Sequence, residues 1–207
     1  PLLDTLAADE GVATASPVLE LESQARPVAD PQSERTTSAP RQTPNSQTSL
    51  RQPGDLRVGV RVIGIDALQV ARVAPALLPH PASGAAMTTA IDPGLAWLNP
   101  AARTRLDVAD GALIELQSAA GWHRLRVGGS VAAGGAPLVV LDIAAAQALF
   151  KRSGRLSRID VQLVPGVDRE AWRARLLLPA DAPVVAADDA VQREANLSRA
   201  YRVNLGV

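Results

Sequence analysis

Between Leu56 and Ile65 polar and apolar residues alternate through Arg57, Val58, Gly59, Val60, Arg61 and Val62 before giving way to the apolar end Ile63-Gly64-Ile65. A period of two places successive side chains on opposite faces of a strand, so this segment enters a core and becomes more buried along its length. Similar strand-length segments recur at 13–22, 113–118, 122–131, 137–141, 156–164 and 183–186, with Ile159, Val161 and Leu163 on the inward face of one of them. The three strands over 113–141 read as a small meander, turned by Asp110-Gly111 and by 119–121 and 132–136.

Between the strands lie short helical stretches with polar heads. Asp66 opens one that runs to Val73, Asn99-Pro100 one that ends near Leu106, Asp142 an alanine-rich one to about Phe150, and Asp168 one carrying Trp172, Leu176 and Leu177 on one side. An Asp or Asn side chain accepts from the first free amides of a helix, and proline at the first turn has no amide to leave unpaired. Residues 2–9 read as the tail of a helix, and Asp188 or Asp189 as the cap of a last helix that runs to Leu205. The expected class is α+β and bipartite: a βαβ-containing lobe built from 1–84 and 151–207, and an inserted, smaller β-rich lobe at 85–150. Within the first lobe, 30–54 scatters Pro31, Pro40, Pro44 and Pro53 among Ser, Thr, Gln, Asn and Arg. Too few apolar residues are present there to offset chain entropy, which predicts a disordered polar loop.

At 207 residues the chain is long enough to bury a core without cross-links. With three Trp, one Tyr and one Phe, that core must be built from Ala, Val, Leu and Ile. Twenty-one basic residues balance 21 acidic ones, so the global field that draws a protein to nucleic acid is missing. The absence of cysteine excludes disulfides and thiolate chemistry within the chain and leaves the compartment undecided. No apolar run reaches the roughly 20 residues of a membrane-spanning helix. The opening Pro1-Leu2-Leu3-Asp4 and the helical ending are what a piece cut from a larger protein would show.

No residue presents itself as catalytic, cofactor-binding or metal-ligating. His80 and His123 lack a ligand partner at helical or hairpin spacing, and Ser16 and Ser157 lack a nucleophile-elbow context and read as strand-edge hydroxyls. Gly128-Gly129 and Gly134-Gly135 read as hairpin glycines, since no helix follows at once to cradle a phosphate. Asp142, Asp188 and Asp189 stand where helix caps are wanted. Lys151, Arg152 and Arg155, with Arg158, form a basic cluster on a turn at Gly154, suited to solvent, a phospholipid surface or an acidic partner. Trp97, Trp122 and Trp172 read as separate anchors.

The segments Val12-Ala13-Thr14-Ala15-Ser16-Pro17-Val18-Leu19-Glu20 and Val62-Ile63-Gly64-Ile65-Asp66 resemble the first two periplasmic strands of MacB/FtsX-type ABC transporter permeases. The run from Leu106 through Asp110-Gly111 to Leu116 resembles the turn into their inserted β-rich subdomain. The stretch from Leu138 to Phe150, with Leu156 to Leu163, is similar to their return strand. The resemblance implies a non-enzymatic domain between two membrane helices, on the periplasmic side of a bacterial inner membrane. It implies coupling to a separate ATPase subunit, contact with a second permease copy or a periplasmic partner, and a membrane-derived or hydrophobic cargo: lipids, lipoproteins, peptides or drugs. No cofactor and no nucleic acid are implied. Asn99-Pro100 through Asp110-Gly111 also looks like the molybdopterin-dinucleotide-binding barrel of some oxidoreductases, and a membrane-anchored interaction domain without a transport role is the third reading.

Overall fold

The computed structural model describes residues 2–28, 56–82, 86–176, 184–186 and 200–204. The expected polar loop at 30–54 and the caps at Asp188 and Asp189 lie outside them. The chain opens with α1 (Leu2–Ala7) and then β1 (Val12–Pro27), a strand of 16 residues around which the rest is organised. β2 (Val58–Ile65) follows, then α2 (Ala67–Val73), whose N-cap Asp66 accepts from the Leu68 amide at 2.9 Å. A 3-10 turn at Pro75–Leu77 leads to the two-residue β3 (His80–Pro81), and a second at Met87–Ile91 to β4 (Leu95–Leu98) and α3 (Pro100–Leu106). Next come β5 (Leu113–Ser118), β6 (Gly121–Ser130), β7 (Leu138–Asp142), α4 (Ile143–Leu149) and β8 (Arg158–Leu163). Among the described residues the chain ends with α5 (Arg169–Arg175), β9 (Val184–Ala186) and β10 (Ala200–Asn204).

Strand pairing closes a ring. β1 pairs with β2, β2 with β7, β7 with β4, β4 with β6, β6 with β5, and β5 with the far end of β1. Closure removes sheet edges and makes a barrel interior that side chains must fill. Every ring strand contributes to that filling: Leu19, Val60, Leu98, Ile114, Val127 and Val139 form one buried cluster, and Ala102 and Leu106 of α3 and Ala146 of α4 join it. At Gly64 a Cβ would lie 2.7 Å from the Cβ of Ala146, so glycine is what lets α4 seat on β2.

The near half of β1 belongs to a second group, a wing. There β1 pairs with β8, β8 with β10 and β10 with β9, all antiparallel. Its core is separate from the barrel's and consists of Leu6, Ala15, Ile159, Val161, Leu163 and Trp172. β8, α5 and β9 make a strand–helix–strand path in which β10 lies between two strands that run the same way.

Several expectations are corrected. β5 and β6 form the expected hairpin, but β7 does not continue a meander; it sits between β2 and β4. Leu138, Val139, Val140 and Leu141 are all buried, and a strand apolar on both faces belongs in the middle of a layered structure. β4 carries no period-two signal for the same reason. Residues 200–204, expected as helix, are a strand whose Tyr201 and Val203 oppose Val161 and Ile159, and aromatic and β-branched residues suit that place. Gly128 and Gly129 lie inside β6 rather than in a turn. Gly129 has φ of 153°, and a Cβ there would fall 2.2 Å from the carbonyl oxygen of His80, where β3 pairs antiparallel with the strand.

Asn99 joins the barrel to α3. Its side chain is fully buried; Oδ1 accepts from the amides of Ala102 and Leu138, both at 2.9 Å, and Nδ2 donates to the carbonyl of Ala136 at 2.9 Å. Asn99→Ala removes a helix cap and leaves buried backbone groups unpaired, a combined cost of about 2.5 kcal/mol. Urea unfolding at unchanged slope should show it, and a loss under about 0.5 kcal/mol would contradict this account.

Candidate functional site

The place where β1 passes from wing to barrel is the most heavily wired part of the molecule. β1 pairs with β8 up to Val18 and with β2 from Val18 onward, so the strand changes partners around Glu20. There Ser157 stands in for a missing strand neighbour: its hydroxyl accepts from the Glu20 amide at 2.9 Å and donates to the Glu20 carbonyl at 3.1 Å. The Glu20 carboxylate receives Arg61 of β2 on Oε1 at 3.1 Å and Arg158 of β8 on Oε2. Arg158 also donates through Nε to Asp160 Oδ1 at 2.9 Å. One carboxylate thus ties a barrel guanidinium to a wing guanidinium.

Arg158 and Asp160 are nearly shut off from water, with side chains 6% and 4% exposed. Arg158 therefore does not belong to the basic surface turn in which the sequence places it; Lys151 and Arg155 are exposed and it is not. Ile159, Val161 and Leu163 do face inward, and the opposite face of β8 is covered too, with α2 packed against it.

A second feature is a charged and aromatic cluster at the far end of the barrel. Trp122 of β6 lies under the guanidinium of Arg26, 4.2 Å from the ring centroid, and within 5.6 Å of that of Arg57. Arg26 pairs with Glu115 at 2.7 Å, and Arg124 shares the same carboxylate at 3.6 Å. The stacking covers one face of the half-buried Trp122 ring and contributes about 0.5–1 kcal/mol. Trp97 and Trp172, by contrast, are core residues.

A third is a groove of about 440 Å³ beside the first residues of β1, between α1 and α2. Its rim carries Leu68, 83% exposed, the most exposed of the large apolar side chains among the described residues.

The residues weighed for chemistry from sequence are not brought together. His80 is exposed on β3, and His123 Nε2 meets the Ser118 hydroxyl at 2.7 Å on the β5–β6 hairpin. Ser157 is a backbone splint. Ser16 lies on a stretch of β1 paired on one side only, as an edge hydroxyl would, yet it is buried and its oxygen has no partner. Asp142 caps α4 through the amides of Ala144 and Ala145. Among the described residues no group of three or more His, Cys, Asp or Glu is arranged to hold a metal, and no helix is long and apolar enough to cross a membrane. Sequence reasoning missed Glu20, whose place at the junction depends on the register of three strands.

No protein-family model matches the chain, and no curated protein matches it. Solved structures do. The extracellular domain of the noncanonical ABC-type transporter YknZ from Gram-positive bacteria superposes with a TM-score of 0.55 at 11% identity, over 97% of this chain and 86% of that one. The periplasmic region of MacB from Actinobacillus actinomycetemcomitans gives a TM-score of 0.55 at 9% identity, over 98% of this chain and 76% of that one. The fold is that of the extracytoplasmic domains of MacB-like ABC transporter permeases, as the sequence resemblance implied. The interior of the six-stranded ring is filled with aliphatic side chains.

Proposed function

We propose that this chain is the extracytoplasmic domain of an ABC transporter permease, a mechanical module that changes shape as a separate cytoplasmic ATPase hydrolyses ATP. The observation that carries the reading is the end-to-end match of wing and barrel together to two permease domains, over 97% and 98% of the chain. A chain that performs no chemistry itself is in keeping with a site made of ion pairs and packed strands. The domain faces the periplasm, and its partners are the ATPase, reached through the membrane part of the protein, and a second permease copy or periplasmic protein. Its cargo is membrane-derived or hydrophobic.

The bipartite plan follows from the same reading, with 85–150 as the inserted lobe and 1–84 with 151–207 as the other. The inserted segment supplies β4, β5, β6 and β7 of the ring, and β1 and β2 close it from outside. Motion between wing and barrel would be focused on β1 near Glu20, where a charged cluster and not a linker joins them.

The chain has no cysteine, which makes a topology test clean. A single Ala120→Cys, on the exposed turn of the β5–β6 hairpin, is introduced into the full-length protein with its other cysteines replaced. A membrane-impermeant maleimide should label it in cells whose outer barrier alone is opened. Labelling only after the inner membrane is lysed would refute the periplasmic placement.

A further inference from the structure

The groove between α1 and α2 contains an unpaired strand edge. Along Val12 to Pro17, β1 has β8 on one side and, among the described residues, no strand on the other, because β2 joins only from Val18. At Ile65, the partner of Val18, β2 ends and the chain turns into α2. α1 covers one face of the wing sheet through Leu6, and α2 covers the other through Val70. The edge is left open between the two helices.

Alternation fixes which backbone groups meet that opening. Val18 accepts from the Ser157 amide, and both backbone groups of Glu20 bond the Ser157 hydroxyl, so even-numbered residues turn their peptide groups toward β8. From Thr14 onward the odd-numbered Ala15 and Pro17 turn theirs the other way, while Ala13 sits at a register shift between Val12 and Thr14. The carbonyl of Ala13 accepts from the Thr14 hydroxyl at 2.8 Å, and no described strand lies opposite the backbone amide and carbonyl of Ala15 on the side away from β8. Pro17, which lacks an amide, ends the row on the same side, as proline does on edge strands.

We infer that this edge is a binding site for an extended polypeptide segment, which would pair with β1 at Ala15 as an added strand. The groove walls suit such a guest. Leu68 offers an exposed apolar platform, and Arg72, one turn further along α2, is exposed and makes no ion pair among the described residues. In a strand every second side chain faces the same way, so a guest that lays an apolar residue on Leu68 directs a neighbouring one of its own face toward Arg72. An acidic side chain or a free terminal carboxylate is the complement of that guanidinium. The guest is thus a short extended segment that pairs an apolar position with a nearby acidic group. The groove's volume of about 440 Å³ lies in the range of about 300–1,000 Å³ in which proteins hold ligands. The inference stands apart from the transport reading, since strand addition needs only the edge and its two helices.

The test uses the 207-residue chain and a displayed library of random heptapeptides. Enriched peptides should alternate and carry an acidic group at one end. They should lose at least about tenfold in affinity on Arg72→Glu or Leu68→Lys, both surface changes that leave the circular dichroism spectrum unaltered. Bound peptide should slow hydrogen exchange of the Ala15 amide by at least about tenfold, a readout that altered surface charge alone would not move. Enrichment indifferent to Arg72 and Leu68, protection that appears elsewhere, or no enrichment at all overturns the inference. A concentration-dependent dimer joined through this edge would also overturn it, by showing a second copy as the occupant.

Discussion

Arg158→Ala is expected to destabilise the domain by about 4 kcal/mol, because it removes one member of a buried ion pair and leaves the other in place. Asp160, with a side chain 4% exposed, would lose the Nε donor 2.9 Å away. Glu20, 31% exposed and still held by Arg61, would lose less. The two carboxylates can be told apart. Replacing Arg158 and Asp160 together by Met and Asn removes the buried carboxylate along with the guanidinium and should recover half or more of the loss, since apolar or neutral substitutes for a buried pair often cost little. Arg158→Ala with Glu20→Gln should recover far less. Because the pair is shielded from solvent, raising the salt concentration should leave the cost nearly unchanged, unlike that of a surface pair. Urea unfolding of the four proteins decides the matter. A loss near 1 kcal/mol in Arg158→Ala, or one that salt abolishes, would return Arg158 to the surface cluster in which the sequence places it.

That misplacement shows where sequence reading stops. Period-two alternation identifies Ile159, Val161 and Leu163 as the inward face of β8 and leaves Arg158 and Asp160 to the other face, which a single strand offers to water by default. Covering that face takes α2, which comes from more than 80 residues earlier in the chain and whose position no local pattern encodes. The helix caps, by contrast, were all local. Asp66, Asn99, Asp142 and Asp168 each accept from an amide two or three residues ahead, and each was legible from residue type and order. β4 and β7 were harder for the opposite reason: Leu95–Leu98 and Leu138–Leu141 are apolar on both faces, and without alternation neither their partners nor, for β4, the strand itself is visible. The Glu20 junction and the open edge beside Ala15 are both properties of register, and register becomes readable only once all strands are in place.

Trp172→Ala should cost about 4 kcal/mol, and its more informative effect is where that loss falls. Trp172 is 1% exposed and is the largest side chain in the wing core, packed with Leu6, Ala15, Ile159, Val161 and Leu163. Its Cδ1 would lie 3.2 Å from a Cβ built on Gly11, so α5 closes over the start of β1 with no slack to refill a cavity. The indole nitrogen has no hydrogen-bond partner, so what is lost is apolar burial and packing, and Trp172→Phe should retain the larger part of it. Barrel and wing have separate cores joined by one shared strand, the Glu20 cluster and α2, which packs on β8 and, through Val70, on the outer face of β2 and β7. A weakened wing should therefore open while the barrel stays closed. Amide exchange in Trp172→Ala should accelerate at Ile159 and Val161 of β8 and remain slow at Leu116 and Leu125 of β5 and β6. If exchange in both groups accelerates together, β1 transmits unfolding along its whole length and the two parts form one cooperative unit, too stiffly joined to move against each other as a two-lobed transporter domain requires.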